Sequence, residues 1–111
     1  MSVQEAARPP LHVIGIRSGE NYRVRLVGEL DLGTVALLES ELEHAFETGA
    51  ASVVIDLTKL DYIDSAGLNF LARTDAKSRV DSNRVTFRGP ATEQVGRLLR
   101  LTQLDTQFKL T

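Results

Sequence analysis

Apolar and polar positions alternate with period two at the start of the chain. From Leu11 to Ile16 the residues Leu11, Val13 and Gly15 share one face, as in a half-buried strand. Tyr22 to Val27 repeats the pattern, with Tyr22, Val24 and Leu26 set against Arg23, Arg25 and Val27. Between the two runs lies Ser18-Gly19-Glu20-Asn21, which is turn chemistry, so the pair predicts an antiparallel hairpin. Gly28 to Thr34 then reads as a break, with Asp31 and Thr34 as helix-capping residue types. The period changes to 3.6 over Val35, Leu38, Leu42, Ala45 and Phe46, with Glu39, Glu41, Glu43 and Glu47 off that stripe, and Thr48-Gly49 stops the helix.

Ser52 to Leu57 is a short, β-branched, nearly continuous apolar run, the signature of a strand covered on both faces. Asp61 to Leu68 follows, and Leu68, Leu71, Ala72, Ala76 and Val80 return to helical spacing. Arg84 to Arg88 is a strand with Val85 and Phe87 inward. Thr92 starts a third helix along Val95, Leu98, Leu99 and Thr102, and Gln107 to Leu110 reads as a last short strand. The predicted order is β-β-α-β-α-β-α-β. That is one α/β domain with a mixed, mostly parallel sheet, an N-terminal antiparallel hairpin and helices packed against it.

Bulk properties narrow the function. A chain of 111 residues fits one domain. Met1 to Pro10 is polar, carries Pro9-Pro10 and reads as a flexible leader, which leaves 11–111 as the domain. The formal net charge of −2 disfavours a general binder of nucleic acid or of anionic membranes, which needs a basic face. No apolar run is long enough to span a bilayer. With no cysteine, disulfides, thiolate metal sites and thiol nucleophiles are excluded, which fits a reducing cytoplasm.

In a sheet of this kind, sites gather where strands deliver their carboxyl ends and helices begin. Two segments go there: Gly28-Glu29-Leu30-Asp31 and Asp61-Tyr62-Ile63-Asp64-Ser65-Ala66-Gly67-Leu68. Ser65 sits at or beside a helix N-terminus, where unpartnered N–H groups and the helix dipole favour negative charge. It has two readings: a phosphate acceptor, or a helix cap and nothing more. Gly67 in a first helical turn costs about 1 kcal/mol against alanine, which points to close approach, either of the sheet or of a partner. Asp31 is a cap or part of an acidic rim beside Ser65.

Catalysis finds little support. Asp31, Asp56, Asp61 and Asp64 lack the Asp-x-Asp pair or glycine-rich phosphate loop of a magnesium-assisted phosphoryl site. Gly-x-Ser-x-Gly is absent, and His12 and His44 read as surface residues with no metal partner in sequence. No enzyme, cofactor or metal is expected. The glutamates of the first helix, with Arg97 and Arg100 of the third, read as solvated faces or as a source of partner complementarity.

Gly-Glu-Leu-Asp at 28–31, Val-Ile-Asp-Leu at 54–57, Tyr-Ile-Asp-Ser-Ala-Gly-Leu at 62–68 and Arg-Leu-Leu-Arg-Leu-Thr-Gln-Leu-Asp at 97–105 together resemble the STAS domain, in particular the bacterial anti-sigma factor antagonists. The resemblance runs from about Leu11 to Leu110. It implies binding to an anti-sigma factor that is also a serine kinase, loss of binding on phosphorylation of Ser65, and reactivation by a serine phosphatase. It carries Asp31 and Asp64 into the partner-binding region, along with Ser65, Ala66, Gly67 and Leu68. It also leaves two other STAS roles open: an unphosphorylated subunit docking on a phospholipid-transport ATPase, and a nucleotide or lipid sensor.

This sequence departs from the family pattern in three places. Ala66 stands where many antagonists have Ser or Thr, which leaves Ser65 as the one hydroxyl of Asp64–Leu68. Gln103 replaces the usual glycine after the third helix. The sequence ends at Thr111, where many relatives continue into a final helix.

Overall fold

The computed structural model describes residues 10–81 and 84–111. The expected leader, except for Pro10, lies outside the described residues. The elements are β1 (Leu11–Ser18), β2 (Asn21–Leu30), α1 (Val35–Glu47), β3 (Ser52–Asp56), β4 (Leu60–Ile63), α2 (Ser65–Val80), β5 (Arg84–Arg88), α3 (Glu93–Leu101) and α4 (Leu104–Phe108).

The predicted hairpin forms, with β1 antiparallel to β2 from Leu11↔Gly28 to Ser18↔Asn21. The sheet runs β1-β2-β3-β5, and β4 pairs with β2. β2 is thus shared on its far side: Asn21–Arg25 pairs in parallel with β3, and Gly28–Leu30 in parallel with β4. β3 and β5 are parallel from Ser52↔Arg84 to Asp56↔Arg88.

One hydrophobic cluster holds the fold. Tyr22, Val24, Leu26, Val53, Ile55, Val85 and Phe87 from the sheet meet Leu38, Leu42 and Ala45 of α1, Leu68, Phe70 and Leu71 of α2, Val95 and Leu99 of α3, and Phe108 of α4. All four helices therefore pack on one face of the sheet. Each fully buried side chain of this kind contributes about 1.5–3 kcal/mol relative to exposure.

Four sequence expectations are revised. Gly28 does not end β2. It takes φ +114 at a register shift where β4 holds the extra residue, Asp61, between Leu60 and Tyr62, and β2 continues past it to Leu30. Leu60–Ile63, too short to read as an element, is a strand because Leu60 and Ile63 are buried beside β2. β3 contributes to the core from one face only: Val53 and Ile55 are buried in it, whereas on the other face Val54 is half-buried and outside the core, and Asp56 is the one buried residue.

The fourth revision is the expected strand at Gln107–Leu110, which is largely helix α4. Phe108, at the end of this helix, stacks on Phe87 with ring centroids 4.1 Å apart. Gln103, at φ 61, reverses the chain between the helices, and Lys109, at φ 53, ends the second. Strand-like bonding survives only at Thr111, whose N–H donates to Phe87 O and whose carbonyl accepts from Gly89 N.

Candidate functional site

The carboxyl end of β2, the loop 31–34, the end of β4 and the start of α2 converge at one edge of the molecule. Asp64 joins them. Its backbone N–H donates to Leu30 O (3.2 Å). Its side chain caps α2 by accepting from Gly67 N through Oδ1 (2.9 Å). Its other oxygen, Oδ2, accepts from Leu32 N (3.2 Å). One carboxylate thus satisfies an orphan helix donor and ties the β2–α1 loop to the helix start.

That loop has its own internal bonding. Asp31 Oδ1 accepts from Gly33 N (3.0 Å), and the buried Thr34 hydroxyl donates to Glu29 O (2.9 Å) while accepting from Asp31 N (2.9 Å). Of the two capping candidates, Thr34 occupies the N-cap position of α1 but makes no side-chain cap bond. The first amide of the helix, that of Val35, donates to Asp31 O instead. Asp31 thus acts through its backbone at the helix start, and through its carboxylate within the loop.

Ser65 is the first residue of α2 and is exposed; Ala66 is half-buried. By position, the N–H groups of both have no acceptor within the helix. Gly67 and Leu68 are buried, so they shape the site from beneath. A Cβ on Gly67 would meet Leu30 O at 2.6 Å and Ile63 Cγ1 at 2.7 Å, so close approach of the sheet accounts for the glycine.

Three side chains at this edge, Leu32, Tyr62 and Gln94, receive no role of their own from the sequence. Leu32 is 80% exposed beside the helix start, and Tyr62 on β4 is 42% exposed, so an apolar rim accompanies the acidic one. Leu32 lies off every periodic stripe, which is the signal that marks it in retrospect. Gln94 of α3 clamps the end of β4 by accepting from Ile63 N (2.9 Å) and donating to Ile63 O (3.0 Å). Nothing local announces that contact.

The other acidic candidates lie elsewhere. Asp56 is 1% exposed and accepts from the Thr58 amide (2.9 Å) and hydroxyl (2.6 Å), with Arg25 Nε 3.6 Å away. Burial pushes its carboxyl up, but the Thr58 bonds and the Arg25 and Arg88 guanidiniums outweigh that and hold it below the usual range. Asp61, His12 and His44 are exposed. Among the described residues no group of three or more His, Asp or Glu is placed to hold a metal ion. No described helix is long and apolar enough to cross a membrane.

Comparison with known proteins agrees with this geometry. Residues 16–111 match the family model described as "Mlab, STAS domain". The chain belongs to the STAS domain family. A curated STAS relative, the anti-sigma-B factor antagonist of Staphylococcus epidermidis, is 33% identical over 95 residues, covering 85% of this chain and 86% of that protein. The same-named protein of Staphylococcus aureus is 30% identical over 83 residues, covering 75% and 76%. Among solved structures, an anti-sigma factor antagonist from Mycobacterium paratuberculosis superposes with a TM-score of 0.71 at 31% identity, covering 90% of this chain and 84% of that one. The Bacillus cell fate determinant SpoIIAA, solved in its phosphorylated form, shares the fold with a TM-score of 0.62 at 18% identity over 86% of each chain.

Proposed function

We propose that this STAS domain is an anti-sigma factor antagonist switched by phosphorylation of Ser65. The observation that carries the reading is the placement of an exposed serine on the first turn of α2, next to Asp64, whose carboxylate accepts from both Gly67 N and the amide of the exposed Leu32. The names of its relatives point the same way.

In the unmodified state Ser65 adds no charge to the rim. Leu32 and Tyr62 supply apolar anchors, and the serine is small enough to be covered by a partner. That partner is an anti-sigma factor that is also a serine kinase, and its occupation by this chain frees the sigma factor. A phosphate on Ser65 adds about −1.5 to −2 charges. The free N–H groups of Ser65 and Ala66 and the helix dipole hold it in place. Asp64 cannot swing away, because Gly67 N and Leu32 N both hold its carboxylate. The negative charges therefore add at the rim with little backbone movement. A partner would have to desolvate all of them, a penalty of several kcal/mol per buried ion, and binding is lost. A serine phosphatase in the cytoplasm reverses the switch.

The test is a pull-down from native lysate with wild type, Ser65→Ala and Ser65→Asp, read by mass spectrometry, followed by kinase labelling with the captured partner. The expected result is an ATP-binding kinase-like protein held by wild type and Ser65→Ala, released by Ser65→Asp, and able to label wild type alone. Equal labelling of Ser65→Ala rules out the assigned site. Retention of the same transporter ATPase by all three forms assigns Ser65 to capping, with the chain as a constitutive transporter subunit.

A further inference from the structure

We propose that the face of the sheet on which no described helix packs is a second docking surface, built for an acidic segment of a partner protein. All the described helices lie on the other face. Strands paired in parallel are normally covered on both sides, and the apolar run of β3 is patterned for that. Yet Val54 is half-buried and, like Ile14 and Ile16 on β1, lies outside the core cluster. The two isoleucines are 44% and 48% exposed.

The charges on this face are segregated. Three registered rows cross β1, β2, β3 and β5: Ser18–Asn21–Ser52–Arg84, Ile16–Arg23–Val54–Thr86 and Ile14–Arg25–Asp56–Arg88. Four arginines and one aspartate leave this block three net positive charges. The whole chain carries −2, so everything else carries −5. Arg25 is paired with Asp56, whereas Arg23, Arg84 and Arg88 have no ion pair within 4.0 Å among the described residues. All four cations are arginine, whose planar fork matches a carboxylate with two parallel hydrogen bonds.

The chemistry of the block selects the class of partner. It contains no aromatic side chain, so it offers no stacking platform for single-stranded nucleic acid. Its apolar members are the short branched aliphatics Ile14, Ile16 and Val54, with no Trp, Phe or Leu to enter a bilayer. A second copy docked symmetrically would bring arginine against arginine. Carboxylates interleaved with aliphatic residues on a protein segment satisfy both the guanidiniums and the isoleucines. This surface does not depend on the state of Ser65.

The test is a titration of the ¹⁵N-labelled chain with poly-L-glutamate, followed by amide chemical shifts at low and high salt. The expected shifts are confined to β1, β2, β3 and β5. The affinity falls about tenfold or more on raising the salt and by a similar factor in Arg23→Gln/Arg88→Gln. It is unchanged in Arg97→Gln/Arg100→Gln on α3 and in Ser65→Asp. Shifts that are absent, or that weaken equally in both arginine pairs, overturn the proposal. So does tighter binding to phosphatidylglycerol vesicles or to oligo-dT, or self-association that Arg23→Gln/Arg88→Gln abolishes.

Discussion

Replacing Gly67 with alanine tests how closely α2 is seated on the sheet. At an exposed mid-helix position this change stabilises by about 1 kcal/mol, because alanine is the better helix former. Here the added Cβ would sit 2.6 Å from Leu30 O and 2.7 Å from Ile63 Cγ1. The second distance is roughly 0.8 Å inside an ordinary carbon–carbon contact. Leu30 O cannot give way easily, since it belongs to β2 and accepts from Asp64 N. If α2 retreats instead, it strains the bonds of Asp64. Overpacking of this kind costs about 1–3 kcal/mol, so the clash outweighs the propensity gain and Gly67→Ala should lose about 0.5–2 kcal/mol.

Gly96 in α3 is the matched control. Its Cβ would meet the far end of Arg100 at 3.3 Å and, at the ordinary contact distance of 3.8 Å, Ala91 Cβ and Ala91 O. The exposed Arg100 side chain can move, so Gly96→Ala should gain about 0.5–1 kcal/mol. Urea titrations followed by circular dichroism give both midpoints. A Gly67→Ala midpoint at or above wild type, or the same sign of change for both variants, would refute the argument from Cβ contacts.

Other expectations follow from single residues. Gln103 holds φ 61 with an exposed side chain, so Gln103→Gly should stabilise by about 1 kcal/mol and raise the melting temperature; a drop contradicts the left-handed strain. Asp64→Ala should cost about 0.5–2 kcal/mol and speed amide exchange at both Leu32 and Gly67. Asp64→Asn keeps one acceptor oxygen and should protect only one of the two amides. Because the folded-state pKa of Asp56 is lowered, its stabilising contribution is present above the unfolded value of about 3.9 and is lost as pH falls through the lower folded value. Urea midpoints across that acid range should decline more steeply in wild type than in Asp56→Asn; equal slopes would remove Asp56 from the acid response.

What could be read from the sequence was what local chemistry announces. The hairpin, the three long helices and β5 came from periodicity and turn residues. The start of α2 came from Asp64 and Ser65, because capping is decided within four residues. Contacts between distant segments were hidden. The bond from Leu32 N to Asp64 spans 32 residues and the Gln94 clamp on Ile63 spans 31, and no local signal encodes either. Gly28 reads as a break because a glycine inside a strand and a glycine ending one look alike until the partner register is known. The C-terminal strand failed for a related reason: four residues carry too little periodicity to outvote the stacking of Phe108 on Phe87.

The shared pairing of β2 also bears on how this sheet avoids misassembly. A one-residue slip of a strand turns its faces over. In β2 that would drive Arg23 and Arg25 inward and expel Tyr22, Val24 and Leu26 from the core. The strand is read three times, by β1 along one side and by β3 and β4 in turn along the other. A slipped alignment would have to satisfy all three neighbours while burying two cations. The strand that joins the Ser65 rim to the arginine face is thus also the one whose alignment is checked most often as the chain folds.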